Sequence, residues 1–273
     1  MKNIFKNFCI LVIIIIGGFV LKSIFADQAA RQTPTPTSTP APYSISSNSA
    51  NLSFQPNLPV AYTFRIQNAA GEVLKDFQLN QGKFVHLITI RQDLFGFQDL
   101  HPAFNSQTGE FSLPNFSASL PGIYRIYFDF IPENAPRPMT LFEEVTVAGS
   151  ASSQPLSSED RIRTFEGYEV TLSLSPEAPA VGVPTTIQFQ LKQDNLPVKD
   201  LQPYLGAFGH SVALKEKDLT YVRADPVLSL NSPEDGVVNF EVTFPEAGNY
   251  KIFSQFQHGG KVVATDYVVK VDN

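Results

Sequence analysis

The sequence is poor in the residues that build most chemical sites. Cysteine occurs once in 273 residues, as Cys9 inside an N-terminal apolar run, so the rest of the chain has no thiol for a disulfide, a nucleophile or a cysteine-based metal site. Tryptophan is absent and histidine occurs only four times. Without a cysteine pair and a core tryptophan, a disulfide-built antibody-type domain is excluded. Charged residues make up 17%, with 20 basic against 26 acidic and a formal charge of -6. Setting aside Lys2, Lys6 and Lys22 at the N-terminus leaves roughly -9, a surface that repels phosphate backbones and argues against nucleic acid as a partner. No G-x-S-x-G nucleophile elbow, H-E-x-x-H or phosphate-cradling glycine loop occurs. The adjacent acids Glu143-Glu144 and Glu159-Asp160 would point to opposite faces of a strand and cannot act on one substrate atom, so they are expected as solvated edge or linker charges. The expected class is non-enzymatic.

What is present divides the chain clearly. Lys2 and Lys6 precede an apolar run from Phe8 to Leu21, followed by Lys22 and the small-residue step Ile24-Phe25-Ala26. Residues 1–26 therefore read as a signal peptide or a retained membrane anchor, which places the remainder as exported, either secreted or held on the extracytoplasmic side. Contact with the membrane is expected only through this segment. Residues 27–42 contain RQTPTPTSTPAP, whose prolines cannot donate to a ladder and hold the backbone extended, so this is a semi-rigid spacer.

The rest carries an internal repeat. LPGIYRIYFDF in the first half matches EAGNYKIFSQF in the second, with Gly122, Tyr124, Ile126 and Phe130 answering Gly248, Tyr250, Ile252 and Phe256 at one offset. Upstream, HLITIRQDLFGFQDLHP from His86 corresponds to HSVALKEKDLTYVRADP from His210. Two blocks in the same order at nearly constant spacing indicate a duplicated domain. Within each copy apolar residues alternate, as in TFRIQ, FVHLITI, TIQFQLK and VVNFEVTF, and Pro/Gly clusters separate the runs. The expected fold is all-β: two tandem immunoglobulin-like β-sandwich domains at 43–149 and 167–273, joined by a polar linker at 150–166. That linker holds little to bury apart from Leu156, so the halves are expected to fold independently. Tyr124 and Tyr250 are expected as corner tyrosines that bond nearby backbone.

The histidines are His86, His101, His210 and His258. A tight loop over 92–95 joins strands at 84–91 and 96–101 and pairs residues whose numbers sum to about 187, which sets His86 across from His101. Asp99, two residues before His101, shares that face. Two imidazoles and a carboxylate on one side of a hairpin suit a divalent ion, zinc or copper. The bland alternative is that ring nitrogens bonded to backbone merely fix the register, and a slip of one residue would split the set between faces. The same construction in the second copy sets His210 opposite Asp225 and supplies no second imidazole. His258, in QHGG, reads as an exposed turn residue.

On these residues, HLITIRQDLFGFQDLHP and PGIYRIYFDF in the first copy and their counterparts in the second, the chain resembles bacterial exported sandwich proteins often labelled heavy-metal-binding or YtkA-like. The resemblance covers nearly everything after the spacer and implies a copper or similar role. In that group the hairpin usually ends H-x-H-P. Here the first copy reads Asp99-Leu100-His101-Pro102 and the second Arg223-Ala224-Asp225-Pro226, so only the first is expected to keep a metal site, at His86, Asp99 and His101. The expectation is an extracytoplasmic binding module for a divalent metal. The alternative is a structural or interaction protein of the cell envelope, with an envelope protein as partner and no metal ligand.

Overall fold

The computed structural model describes residues 42–156, 160–229 and 232–273, so the leader, most of the Pro/Thr spacer and Glu159 lie outside the described residues. The described chain is a succession of strands with one short 3-10 turn at Ser49–Asn51. Among the described residues no helix is long and apolar enough to cross a membrane. The first repeat contains β1 (Tyr43–Ser47), β2 (Val60–Asn68), β3 (Phe77–Gln78), β4 (Val85–Arg91), β5 (Gln98–Leu100), β6 (Ala103–Asn105), β7 (Glu110–Phe116), β8 (Gly122–Pro132) and β9 (Met139–Val147). The second contains β10 (Ile162–Phe165), β11 (Tyr168–Ser175), β12 (Pro184–Gln193), β13 (Leu196–Pro197), β14 (His210–Lys215), β15 (Tyr221–Pro226), β16 (Val237–Thr243), β17 (Gly248–His258) and β18 (Lys261–Val271).

Each repeat is a β-sandwich because its strands alternate. In β2 the buried positions are Tyr62, Phe64 and Ile66, and in β12 they are Thr185, Ile187, Phe189 and Leu191, with the residues between them facing outward. The first sandwich packs the sheet β1-β2-β7-β6 on β3-β8-β4-β5, with β9 also on β8. Its core joins Phe64, Phe111, Phe128 and Phe130 with Tyr62 and Tyr124. The second core is built alike around Phe189, Phe240, Phe256 and Tyr267. One strand differs in an informative way. In the second repeat β15 pairs with β14 through Ala224 and then with β16 from Asp225, so it crosses from one sheet to the other unbroken. In the first repeat the equivalent strand is interrupted at His101-Pro102, although β15 carries a proline at the same position, Pro226: β5 pairs with β4 and β6 with β7. His101 therefore stands at the corner between two sheets.

The two sandwiches share an apolar face, so the halves are docked on one another and not merely linked. Every residue of β4 and of β14 is buried, because one face of each strand enters its own core while the other meets the opposite repeat. Ile88, Ile90, Leu94 and Tyr127 pack there with Val212, Leu214, Leu219 and Phe253, joined by Phe97, Tyr221 and the linker's own Leu156. These residues come in equivalent pairs, Ile88 with Val212, Ile90 with Leu214 and Tyr127 with Phe253. The contacts are reciprocal too: Phe97 of the first repeat stacks on Phe253 of the second at 4.2 Å, and Tyr221 of the second meets Tyr127 of the first at 5.2 Å. Such reciprocity is the mark of a two-fold, isologous interface, formed here within one chain.

Candidate metal centre

The hairpin register matches the sequence expectation. Leu87 pairs with Leu100, Ile88 with Asp99 and Thr89 with Gln98. His86 and Asp99 consequently project from the same face of the sheet, the face turned toward the second repeat, and His101 follows at the strand's end. The repeats also correspond as expected at their histidines and tyrosines. His86 pairs across β8 with Asp129 and His210 across β17 with Gln255, while Tyr124 faces Arg91 and Tyr250 faces Lys215.

The side chains gather round the Asp99 carboxylate, itself completely buried. Nδ1 of His86 lies 3.5 Å from Oδ1 and Nε2 of His101 lies 3.4 Å from the same oxygen. The unexpected member is His210, whose Nε2 is 3.5 Å from Oδ2. The second repeat thus brings an imidazole to the first repeat's site, contrary to the expectation that only the first hairpin supplies such groups. The cause is the two-fold interface: His86 and His210 are equivalent residues on the facing strands β4 and β14, and their rings stack at 4.7 Å and 8°. His86, Asp99 and His210 each present a ligand-type atom within 4.8 Å of the others. His101 approaches from the outside, its side chain 21% exposed. The Asp225 expected opposite His210 is not there, because β15 has by then crossed to β16, where Asp225 pairs with Glu241.

These four groups stand in ion-pair range of one another but form no proper hydrogen bond. His86 Nδ1, both oxygens of Asp99, His101 Nε2 and His210 Nε2 are buried and make no hydrogen bond among the described residues. The remaining ring nitrogens of the two inner histidines are held. Nε2 of His86 meets the carbonyl oxygen of Asn80 at 2.9 Å. Nδ1 of His210 meets Oε1 of Gln81. Since a carbonyl oxygen only accepts, each of these nitrogens carries a proton, and whenever the ring is neutral the inward nitrogen carries the lone pair.

Electrostatics agree with that assignment at His210 and favour a second proton, toward Asp99, at His86. Burial, the largest influence on Asp99, would raise its carboxyl, but His101, His86 and His210 outweigh it and hold the group ionised, well below the usual carboxylate range. Burial also dominates at His210 and pushes the imidazole down to about 3, so it is neutral at physiological pH. At His86 burial works in the same direction but Asp99 more than offsets it, and the value is raised.

On the far side of the two-fold the equivalent of Asp99 is Arg223, and its guanidinium ion-pairs with buried Asp129 of the first repeat. Asn80 joins this pair, receiving Arg223 Nη2 at 3.0 Å and giving its amide to Asp129 at 3.0 Å. One pole of the interface is closed by a permanent cation. The other presents an unmatched carboxylate among imidazoles.

Other sequence expectations change in detail. His258 is not a free turn residue: its Nδ1 meets the Tyr168 hydroxyl at 2.7 Å and its Nε2 meets Asp200 at 2.9 Å. Glu143 is not a solvated charge either, since it accepts from Tyr62 at 2.6 Å and Ser47 at 2.8 Å. Tyr250 makes the expected corner bond to the Glu246 carbonyl at 2.9 Å, and the buried Tyr124 hydroxyl stands in the equivalent place against the backbone of Leu120, with looser geometry.

A family model described as "Domain of unknown function (DUF8832)" matches the chain twice, over residues 42–147 and 163–273. No curated protein matches. Similar solved structures include domains 4 and 5 of the S-layer protein SbsC, 13% identical over 85% of this chain and 100% of that one with a TM-score of 0.24. InvD of Yersinia pseudotuberculosis is 11% identical over 84% of this chain and 57% of its own, with a TM-score of 0.27.

Proposed function

The chain belongs to the DUF8832 family, carrying two copies of its domain, and we propose that the pair is a non-enzymatic, extracytoplasmic module that binds one divalent transition metal, zinc(II) or copper(II). The observation that carries this reading is the set of buried, unpartnered atoms facing one another at the interface. A buried polar atom without a partner costs about 1–3 kcal/mol, more when charged, and five around one point would be a heavy burden on a marginally stable fold. A cation removes that cost. Two atoms bound tetrahedrally at about 2.0–2.1 Å from zinc stand about 3.3–3.4 Å apart, close to the 3.4–3.5 Å between each imidazole and its nearer Asp99 oxygen; the parallel rings of His86 and His210 would turn toward the ion for both to reach it.

His86 Nδ1, Asp99, His210 Nε2 and His101 Nε2 would hold the ion. Three imidazoles and a carboxylate fit the borderline character of zinc(II) and copper(II). The bonds from His86 and His210 to Asn80 and Gln81 are of the outer-shell kind that orients metal-bound histidine. Export is supported by the order of positive, apolar and small residues at the N-terminus, with the spacer after it. The test is a competition titration of the exported chain with each metal, on wild type, Asp99→Asn and His101→Ala. One equivalent should bind to wild type, with affinity lowered at least about 10-fold in His101→Ala, the lower end of what even an outer-shell loss costs. Equal binding by all three chains, or none by wild type, leaves the envelope interaction protein as the better account.

A further inference from the structure

His210 comes from one repeat and its hydrogen-bond partner from the other. We propose that Gln81 is a positioning residue that selects the tautomer of His210 and thereby recruits the second repeat's imidazole to a metal held by the first. The inference rests on the metal reading of the site. Its basis is geometric: Gln81 Oε1 engages Nδ1 of His210, which leaves Nε2 with its lone pair, buried, unpartnered and 3.5 Å from Asp99 Oδ2. With the proton on Nε2 instead, the ring would present a donor to the ion and could not coordinate it.

Gln81 is held in place by the two-fold itself. It sits in a tight turn at φ 45° with Gly82 at φ 77°, and the equivalent turn of the second repeat has Leu205 at φ 55° and Gly206 at φ 83°. The two turns pack backbone against backbone: a Cβ on Gly82 would lie 3.4 Å from the Leu205 carbonyl carbon, and one on Gly206 would lie 3.5 Å from that of Gln81. Each turn thus reaches across the interface toward the opposite histidine strand. Only the first offers an acceptor there, because the residue equivalent to Gln81 is leucine. The same turn fixes both inner ligands, His86 through the backbone of Asn80 and His210 through the side chain of Gln81. The asymmetry between Gln81 and Leu205 matches that between Asp99 and Arg223, and both favour a single metal at one pole.

The experiment compares the exported chain with its Gln81→Leu and Gln81→Glu variants. Gln81→Leu copies the second repeat, and its backbone conformation is one that leucine already adopts at position 205. Zinc affinity is read by chelator competition, and the His210 tautomer by long-range proton–nitrogen NMR correlations in zinc-free protein. Gln81→Leu should bind zinc about 10- to 100-fold more weakly, as loss of an outer-shell partner does, and should lose the tautomer protonated on Nδ1. Gln81→Glu should keep both, since a carboxylate accepts the same bond. Wild-type affinity in Gln81→Leu, an unchanged tautomer, or failure of Gln81→Glu to restore binding would overturn the role of Gln81 while leaving the metal site standing. No zinc uptake by wild type would instead sink the site and this inference together.

Discussion

Truncating His210 separates a site made by one hairpin from a site made by two repeats. In wild type, free zinc at about 100 times Kd adds about 2.7 kcal/mol to stability. For a folded unit of this size each kcal/mol moves Tm by about 2–4 °C, so zinc should raise Tm by about 5–11 °C. His210→Ala removes a group whose Nε2 lies about as close to Asp99 as Nδ1 of His86 or Nε2 of His101 does. If Kd rises about 100-fold, the upper end for losing even an outer-shell contact, the same free zinc equals the new Kd and contributes only about 0.4 kcal/mol. The zinc-induced shift should shrink to about 1–2 °C. Scanning calorimetry with and without chelator measures this within each variant, so any effect of the deleted ring on the metal-free fold cancels. A zinc-induced shift in His210→Ala as large as that of wild type would refute the two-repeat site and return the ligand set to the first hairpin.

Zinc affinity should depend on pH. His86 is raised above its usual 6.5 while His210 lies near 3, so between pH 5 and 8 His86 must lose a proton to bind and His210 need not. In His101→Ala, which leaves only these two imidazoles, affinity measured by competition should fall about tenfold per pH unit below the raised His86 value and level off above it, and a slope of two protons in that variant would contradict this assignment. Phe253→Ala removes the ring stacked on Phe97 and should cost about 3–5 kcal/mol in urea unfolding; a loss under about 1 kcal/mol would show that the shared face contributes little. A protease site placed in the exposed stretch 151–155 should give a nicked chain whose halves still elute as one species. Separation of the halves at micromolar concentration would restore the picture of independent domains.

Much of the fold was legible because alternation and repetition are properties of the chain itself. The register that joins His86, Asp99 and His101 followed from one short loop and the two-residue period of strands, and β4 and β5 pair accordingly. The interface was harder to see. Strand β4 reads VHLITIR and β14 reads HSVALK, runs with too little alternation for a sheet that shows one face to water. That was the available signal that these strands are covered twice. His210 was set aside because its own hairpin carries Arg223 and Asp225, an inference sound within one repeat but blind to contacts between repeats. Gln81 had no signal at all, since a glutamine in a turn is ordinary.

The reciprocal packing of the two sandwiches has a consequence for how the site behaves when its occupant is lost. Surfaces tethered by a short linker meet at an effective concentration of order millimolar, so a face of only micromolar intrinsic affinity would be closed about a thousand times more often than open. Loss of an ion bound there, with Arg223 still paired to Asp129, would therefore relax one pole of the contact without parting the repeats. A second chain would have to approach millimolar concentration before it could compete for the same face. Duplication thus gives the chain a concentration-independent partner, and the histidine from the second repeat is as available when the chain is dilute as when it is crowded.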